Sequence, residues 1–161
     1  MASSDFAIYP LAVGDGKLAI SPIPGRFGCY QTDLRILQSW APDLVITLTS
    51  QDELDGQGAG ALGADLAEKR INWRHLPVRD FDIPDDLDWP ALRQEILAVL
   101  AGGGRILVHC FGGCGRSGML VLRCMIAAGT PPDAALRRLR DMRPCAVETK
   151  AQMDWALQDG D

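Results

Sequence analysis

Residues 109–118 decide how the rest of the sequence is interpreted, and they read His109-Cys110-Phe111-Gly112-Gly113-Cys114-Gly115-Arg116-Ser117-Gly118. An apolar run at 105–109 precedes this segment and predicts a buried strand, and a helical pattern follows at 115–128. The glycines between strand and helix let the backbone curl so that successive N–H groups point inward, which binds anions. The positive end of the helix dipole adds to this attraction. We therefore predict an anion-binding loop between a buried strand and a helix.

Four side chains in this loop suggest its chemistry. Cys110 is expected at the base of the cradle, where its thiolate would be stabilised and act as a nucleophile. Arg116 follows six residues later, and its planar guanidinium can hold two phosphate oxygens at once. Ser117 can offer its hydroxyl to the sulfur, and His109 is expected to brace the loop rather than act as a base. The alternative, a buried cysteine that only packs, does not account for this combination of residues.

The pattern His-Cys-x-x-x-x-x-Arg-Ser resembles the phosphate-binding loop of the protein-tyrosine-phosphatase superfamily. Residues 19–25 resemble the first strand and turn of kinase-associated phosphatases and their microbial relatives, and 49–54 resemble the segment after their second strand. The resemblance implies two-step hydrolysis of a phosphomonoester through a phosphocysteine, with neither a metal nor another cofactor. It also implies which residues bind the phosphate: Phe111, Gly112, Gly113, Cys114, Gly115 and Arg116.

Such a reaction needs an acid for the leaving oxygen and later a base for water. Residues 75–85 resemble the acid loop of small dual-specificity-type phosphatases, in which the first Asp of a Pro-x-x-Asp motif is the acid. That assigns Asp80, with Asp82 and Asp85 as alternatives, and an acidic turn without function as the remaining one. Phe81 and Ile83 are expected to shield the site from water when the loop closes.

Two further segments contribute candidates by resemblance. Residues 146–152 resemble the family's segment built around Gln-Thr-x-x-Gln, where glutamine helps to place the hydrolytic water. Glu148 stands at the first glutamine position here, so Gln152 is the better candidate, and helix capping by Thr149 is the alternative. Glu53 is expected either to neighbour Arg116 or to be a solvated helix start.

The five cysteines argue against a disulfide framework, because their number is odd and no secretory signal precedes them. A reducing cytoplasm is therefore the expected location. Cys114 is interpreted as a small loop residue, with a resolving role in redox control as the alternative, and Cys124 as a core thiol. A zinc site is not expected, because no Cys-x-x-Cys pair exists and the only histidines are His75 and His109.

Composition and charge limit the kinds of partner that we expect. The formal net charge of −5 argues against general binding to nucleic acid or an anionic membrane, and no apolar run approaches the length of a membrane span. We expect a monomer that acts on a phosphorylated protein or peptide. The basic run Arg137, Arg138, Arg140 and Arg143 is either a solvated helix face or a contact for phosphorylated partners.

Alternating strands and helices predict an α/β fold, and the 161 residues fit one domain spanning 1–161. We expect a central, mainly parallel sheet of about four to five strands, flanked by helices as in protein-tyrosine phosphatases. The predicted strands are 17–21, 44–48, 72–76 and 105–109. The predicted helices are 31–40, 61–69, 89–100, 115–128, 132–142 and 150–157, with a turn-rich stretch at 79–88.

The substrate is less constrained by the sequence. The short chain lacks room for the long recognition loop of tyrosine-specific members, which favours phosphotyrosine with or without phosphoserine or phosphothreonine. Residues 110–116 include no lysine, which argues against a phosphoinositide substrate. An RNA 5′-phosphate remains an open alternative as substrate. A catalytically weak module that binds phosphoproteins is a second hypothesis, and a sulfurtransferase or arsenate reductase is a third.

Overall fold

The computed structural model describes residues 5–158, which form a five-stranded sheet flanked by helices. The strands are β1 (Tyr9–Val13), β2 (Gly16–Ser21), β3 (Leu44–Thr47), β4 (Asn72–His75) and β5 (Arg105–His109). The helices are α1 (Tyr30–Ser39), α2 (Gln51–Gly56), α3 (Leu62–Glu68), α4 (Trp89–Ala101), α5 (Gly115–Ala127), α6 (Pro132–Met142) and α7 (Lys150–Ala156).

The sheet has the order β1-β2-β5-β3-β4. Strands β2, β5, β3 and β4 run parallel, while β1 pairs with β2 in the antiparallel sense at the edge. The predicted mainly parallel α/β sheet is therefore confirmed. The carboxyl ends of the parallel strands lie at one edge, where ligands bind in open sheets of this kind.

Two elements were not predicted. Strand β1 carries Pro10, which cannot donate to a ladder and is tolerated at a sheet edge. Helix α2 is only six residues long, and it begins with a capping box in which Ser50 accepts from the Glu53 N–H and Glu53 accepts from the Ser50 N–H. That short helix fixes where the Glu53 carboxylate lies.

Successive side chains of a strand point to opposite faces of the sheet, so the core is divided into two layers. Leu18, Ile20 and Val108 point into the layer formed with α4, α5, α6 and α7, whereas Ala19 and Leu107 point into the layer formed with α1, α2 and α3. Both faces of the central strands are thus covered, as expected for a parallel sheet. Among the helices described, none combines the length and apolar character that crossing a bilayer requires.

One cation is buried in the first of these layers. Arg123 of α5 is 7% exposed, and its guanidinium carbon lies 4.5 Å from the ring centroid of Trp89 in α4 and 4.4 Å from that of Trp155 in α7. The two rings meet edge to face. These contacts join α4, α5 and α7 through cation–π interactions.

Candidate functional site

The loop from Cys110 to Arg116 is called the cysteine loop below. Neighbouring segments hold it in place by donating hydrogen bonds to its carbonyl groups. The Ile23 N–H donates to Phe111 O at 3.0 Å, and Arg143 donates to Gly112 O at 2.9 Å and Gly113 O at 3.0 Å. In a trans peptide the carbonyl and the next N–H point in opposite directions. The N–H groups of the three following residues, 112–114, therefore face the inside of the loop, where an anion can bind them.

Close packing explains two glycines, one in this loop and one just after it. Gly113 has φ +73°, and a Cβ built on it would lie 2.8 Å from the backbone of Ser21. A Cβ on Gly118, in the first turn of α5, would lie 2.6 Å from the Val147 nitrogen. Side chains at these positions would force the loop away from β2 and from the segment before α7.

Cys110 and Ser117 meet at the base of the loop. Cys110 is 3% exposed, Ser117 is fully buried, and the sulfur and the hydroxyl oxygen are 3.2 Å apart. The hydroxyl therefore lies within hydrogen-bond distance of the sulfur.

Arg116 is buried, with 1% exposure, and most of its donors are already engaged. Its Nη1 donates to Glu53 Oε2 at 3.0 Å and to Val78 O at 2.9 Å, and its Nη2 donates to Glu53 Oε1 at 2.9 Å. Its Nε–H has no protein partner among the described residues. A buried, charged group with an unused donor is costly unless a ligand takes that donor.

The ion pair with Glu53 fixes the charges of both residues. Burial acts to lower the pKa of Arg116, but the hydrogen bond with Glu53 and the charges of Cys110 and Asp80 outweigh it, and the pKa is raised. Burial acts to raise the pKa of Glu53, but its bonds with Arg116 and Ser50 outweigh it, and that pKa is lowered. Glu53 lies at the start of α2, as one sequence interpretation had it, and its carboxylate is paired with Arg116, as the other had it.

The candidate acids differ in what they contact. Asp80 Oδ1 lies 3.5 Å from Arg116 Nη2, and the carboxylate is half exposed. Asp82 instead pairs with Arg79 at 3.4 Å, and both Asp82 and Asp85 line a cavity of about 330 Å³ beside the acid loop. Among these three aspartates, Asp80 is the one whose carboxylate lies beside Arg116.

The two apolar side chains of the acid loop do not lie together. Phe81 is 59% exposed and has φ 64°, a left-handed conformation that is unusual for an aromatic residue. Ile83 packs against the core beneath the loop. The expected shielding of the site by both residues is therefore not seen in this conformation.

His109 forms part of a buried chain of hydrogen bonds. Trp73 Nε1 donates to Thr47 Oγ1 at 2.7 Å, Thr47 Oγ1 lies 2.7 Å from His109 Nε2, and His109 Nδ1 lies 3.3 Å from Cys110 O. Because a carbonyl only accepts, Nδ1 carries the ring hydrogen and donates to Cys110 O, and Nε2 of the neutral ring accepts from the Thr47 hydroxyl. Burial lowers the pKa of His109 to about 4, so the ring is neutral near pH 7.

Gln152 lies between the start of α7 and the acid loop. Its Oε1 accepts from the N–H groups of Glu148 and Thr149, and its Nε2 donates to Asp82 O at 3.2 Å. Thr149 caps α7 by accepting from the Gln152 N–H. Both the capping by Thr149 and the closeness of Gln152 to the site are therefore present together. Glu148 lies against Gly115, whose added Cβ would nearly touch its carboxylate.

The cysteines require a correction. Cys114 and Cys145 form a disulfide, so the interpretation of Cys114 as a small loop residue was wrong, and the argument against disulfides from the odd number of cysteines did not hold for this pair. The bond connects the cysteine loop to the segment that also carries Arg143. Cys124 is fully buried, as predicted for a core thiol, and burial raises its pKa to about 12.

The basic run is not simply a solvated face. Arg138 donates to Ala12 O, Arg140 to Ala146 O and Val147 O, and Arg143 to the cysteine loop. Three of these four arginines therefore connect the α6 region to neighbouring backbone. The sequence showed them as a group but could not show these partners.

Comparisons with known proteins identify the family and the fold. Residues 28–155 match the family model "PTP-SAK: Swiss Army Knife protein, DSP-PTPase phosphatase domain". The chain is 32% identical over 85 residues to human cyclin-dependent kinase inhibitor 3, which is 50% of this chain and 40% of the relative. The chain thus matches less than half of the length of that relative.

Solved structures share the fold. A crystal structure of kinase associated phosphatase superposes with a TM-score of 0.83 at 22% identity, covering 94% of this chain and 92% of the other. The active form of Tk-PTP superposes with a TM-score of 0.68 at 28% identity, covering 87% and 88% of the two chains.

Proposed function

Because the chain belongs to the DSP-PTPase phosphatase domain family, we propose that it hydrolyses phosphomonoesters on proteins through a phosphocysteine intermediate. The observation that carries this proposal is the buried Arg116, whose Nε–H is unpartnered beside a loop with inward N–H groups and a buried thiol at its base. A tetrahedral oxyanion would satisfy the loop N–H groups and the free guanidinium donor at once.

In the first step, the Cys110 thiolate attacks phosphorus while the bond to the ester oxygen breaks. Arg116 and the loop N–H groups stabilise the charge on the phosphoryl oxygens. Asp80, protonated, gives its proton to the leaving oxygen, so the alcohol or phenol departs neutral. The enzyme then carries phosphate on the Cys110 sulfur.

In the second step, Asp80 accepts a proton from water as that water attacks phosphorus. The sulfur–phosphorus bond breaks and inorganic phosphate is released. Ser117 donates a hydrogen bond to the departing sulfur across the 3.2 Å contact, which stabilises the thiolate. His109 and Gln152 hold the cysteine loop and the acid loop in position.

The substrate we propose is a phosphorylated protein, with phosphotyrosine and phosphoserine or phosphothreonine as targets. The names of the relatives support a protein substrate, since they include a cyclin-dependent kinase inhibitor and a kinase associated phosphatase. Cys110 at the base of the loop is buried, which suits a substrate that projects from its backbone. We also propose that residues 1–161 act as a single domain.

The test is hydrolysis of an aryl phosphate in EDTA by the wild type and by Cys110→Ser. We expect turnover by the wild type and none by the variant. Activity that survives in Cys110→Ser would refute the cysteine mechanism, and transfer of sulfur to an acceptor thiol would favour the sulfurtransferase hypothesis.

A matched pair tests the acid. Asp80→Asn should lower kcat by about 10²- to 10⁴-fold with a poor leaving group, because the ester oxygen would leave unprotonated. Asp82→Asn removes a neighbouring carboxylate that pairs with Arg79 instead, and it should lower kcat much less. Equal losses in the two variants would contradict the assignment of Asp80.

A further inference from the structure

We propose that Arg26 determines substrate specificity by binding a second negative charge, a carboxylate or a second phosphate near the phosphorylated residue of a protein. This inference rests on the proposed function, because the first phosphate must occupy the cysteine loop. It assigns a role to a residue outside the loop and outside the acid segment.

Arg26 lies in a turn that is fixed next to the cysteine loop. The turn follows β2 and contains the bond from Arg26 N–H to Ile23 O at 3.2 Å. Asp33 Oδ2 accepts from the Gly25 N–H at 2.7 Å, which anchors the turn to α1. Because the Ile23 N–H also binds Phe111 O, the turn and the cysteine loop are held together through the backbone.

The guanidinium of Arg26 lies against the cysteine loop itself. Its central carbon is 5.0 Å from the ring centroid of Phe111 and 5.4 Å from that of Phe27. Its Nη1 lies 3.2 Å from the position that a Cβ on Gly112 would take. Aromatic faces attract a cation without neutralising it, so Arg26 is positioned but keeps its full charge.

Among the residues that the structure describes, Arg26 has no charged partner. Within residues 5–158, no carboxylate lies within 4.0 Å of its guanidinium, and its side chain makes no hydrogen bond. Its side chain is exposed to solvent. Arg74, Arg79 and Arg116, by contrast, are paired with acidic residues. An exposed, positioned and unpaired guanidinium is suited to a ligand that brings the missing anion.

The charges differ between the two sides of the site. The acid loop and the residue after it carry Asp80, Asp82, Asp85 and Asp86 against one arginine, Arg79, so this side repels a negative group of the substrate. The turn at Arg26 has an unpaired positive charge instead. A phosphate bound inside the loop uses Arg116 and the N–H groups, so Arg26 is available to the part of the substrate that stays outside.

Binding of phosphopeptides to Cys110→Ser, measured by fluorescence anisotropy, tests this inference without turnover. Three peptides share one phosphotyrosine and differ in the flanking residues, which are neutral, glutamate-rich or carry a second phosphate. We expect at least one of the two acidic peptides to bind about tenfold more tightly than the neutral peptide. Comparison of the glutamate-rich peptide with the doubly phosphorylated one shows whether a carboxylate or a second phosphate is bound.

Three further substitutions on this background identify the residue responsible. Arg26→Gln should abolish the preference for acidic flanks and leave the neutral peptide bound as before, and Arg26→Lys should keep part of the preference. Arg137→Gln is the matched control, because Arg137 is an exposed arginine of α6. Equal affinity for all three peptides in the Cys110→Ser protein would overturn the proposal. An equal loss of affinity for all peptides in Arg26→Gln would also overturn it, because it would indicate a structural role.

Turnover separates this proposal from the proposed function. If the wild type hydrolyses aryl phosphate but all three peptides have the same kcat/KM, Arg26 has no role in specificity while the phosphatase assignment stands. If the peptides bind with the acidic preference but no phosphate is released, the hydrolysis proposal fails while the role of Arg26 stands.

Discussion

The side-chain amide of Gln152 connects the start of α7 to the acid loop, because its Nε2 donates to Asp82 O at 3.2 Å while its Oε1 accepts from two N–H groups of residues 148–149. The same side chain thus caps a helix and holds the segment that carries Asp80. The two roles use different atoms, so substitution can separate them.

Gln152→Glu should loosen the acid loop and preserve the cap. A glutamate can still accept from both N–H groups, and it suits this position of a capping box, but it cannot donate to Asp82 O. We expect amide hydrogen exchange in residues 80–85 to rise about 2- to 10-fold, with a lower kcat. Gln152→Ala, which removes both roles, should also lower the melting temperature. Unchanged exchange in Gln152→Glu would show that the bond to Asp82 does not hold the loop.

Arg143→Ala should weaken binding of phosphate to the cysteine loop. Arg143 donates hydrogen bonds to the carbonyls of Gly112 and Gly113. Because these carbonyls point outward, the N–H groups that follow them point into the loop. We expect the inhibition constant of inorganic phosphate and the KM for aryl phosphate to rise, with kcat/KM falling about 10- to 100-fold. Arg137→Ala serves as the control for loss of one positive charge. Similar inhibition constants in the two variants would contradict this role.

Cys145→Ser should destabilise the protein by removing the bond to Cys114. The bonded cysteines are 31 residues apart, and closing a loop of that length in the unfolded chain stabilises the folded state by about 3–4 kcal/mol. Denaturant unfolding without reductant should show this difference, and reduction of the wild type should reproduce it. Cys29→Ser, which alters an exposed free cysteine, should unfold like the wild type. Labelling of all five thiols in the unreduced, denatured protein would show that the disulfide does not form.

The free energy of unfolding should fall as the pH is lowered from about 6.5 to about 4. Burial lowers the pKa of His109 to about 4 in the folded protein, whereas an unfolded histidine titrates near 6.5. Between these values the unfolded state binds the extra proton, so stability is lost by up to about 1.4 kcal/mol per pH unit. Denaturant unfolding across this range measures the slope. An imidazole NMR signal of His109 that titrates near pH 6.5 would contradict the prediction.

The sequence predicts the centre of the molecule better than its margins. The strand at 105–109, the curled loop and the helix after it follow from an apolar run, three glycines and a helical pattern that all point to one arrangement. Strand β1 was missed because Pro10 interrupts a five-residue segment whose burial depends on pairing with β2. Helix α2 was missed because it is short, although Ser50 and Glu53 carry the capping-box pattern that predicts its start.

The contacts that support the site depend on tertiary packing. Nothing local indicates that Cys145 would reach Cys114, since the two meet only after α5 and α6 have folded back over the sheet. The partners of Arg143 and Gln152 are backbone carbonyls, which leave no mark in the sequence. Glu53 was predicted beside Arg116 only through the resemblance of its segment to a family.

Two buried arginines of α5 are held in different ways. Arg116 at the site is bound by the carboxylate of Glu53, whereas Arg123 connects α7 to α4 through aromatic rings. Arg123 is held between the faces of Trp89 and Trp155, and within residues 5–158 no acidic side chain pairs with it. Protonation of Glu53 at low pH would weaken its ion pair with Arg116. It would not change the cation–π contacts of Arg123, because the two tryptophan rings do not titrate. The contacts that attach α7, the helix that carries Gln152, are therefore independent of the protonation of Glu53.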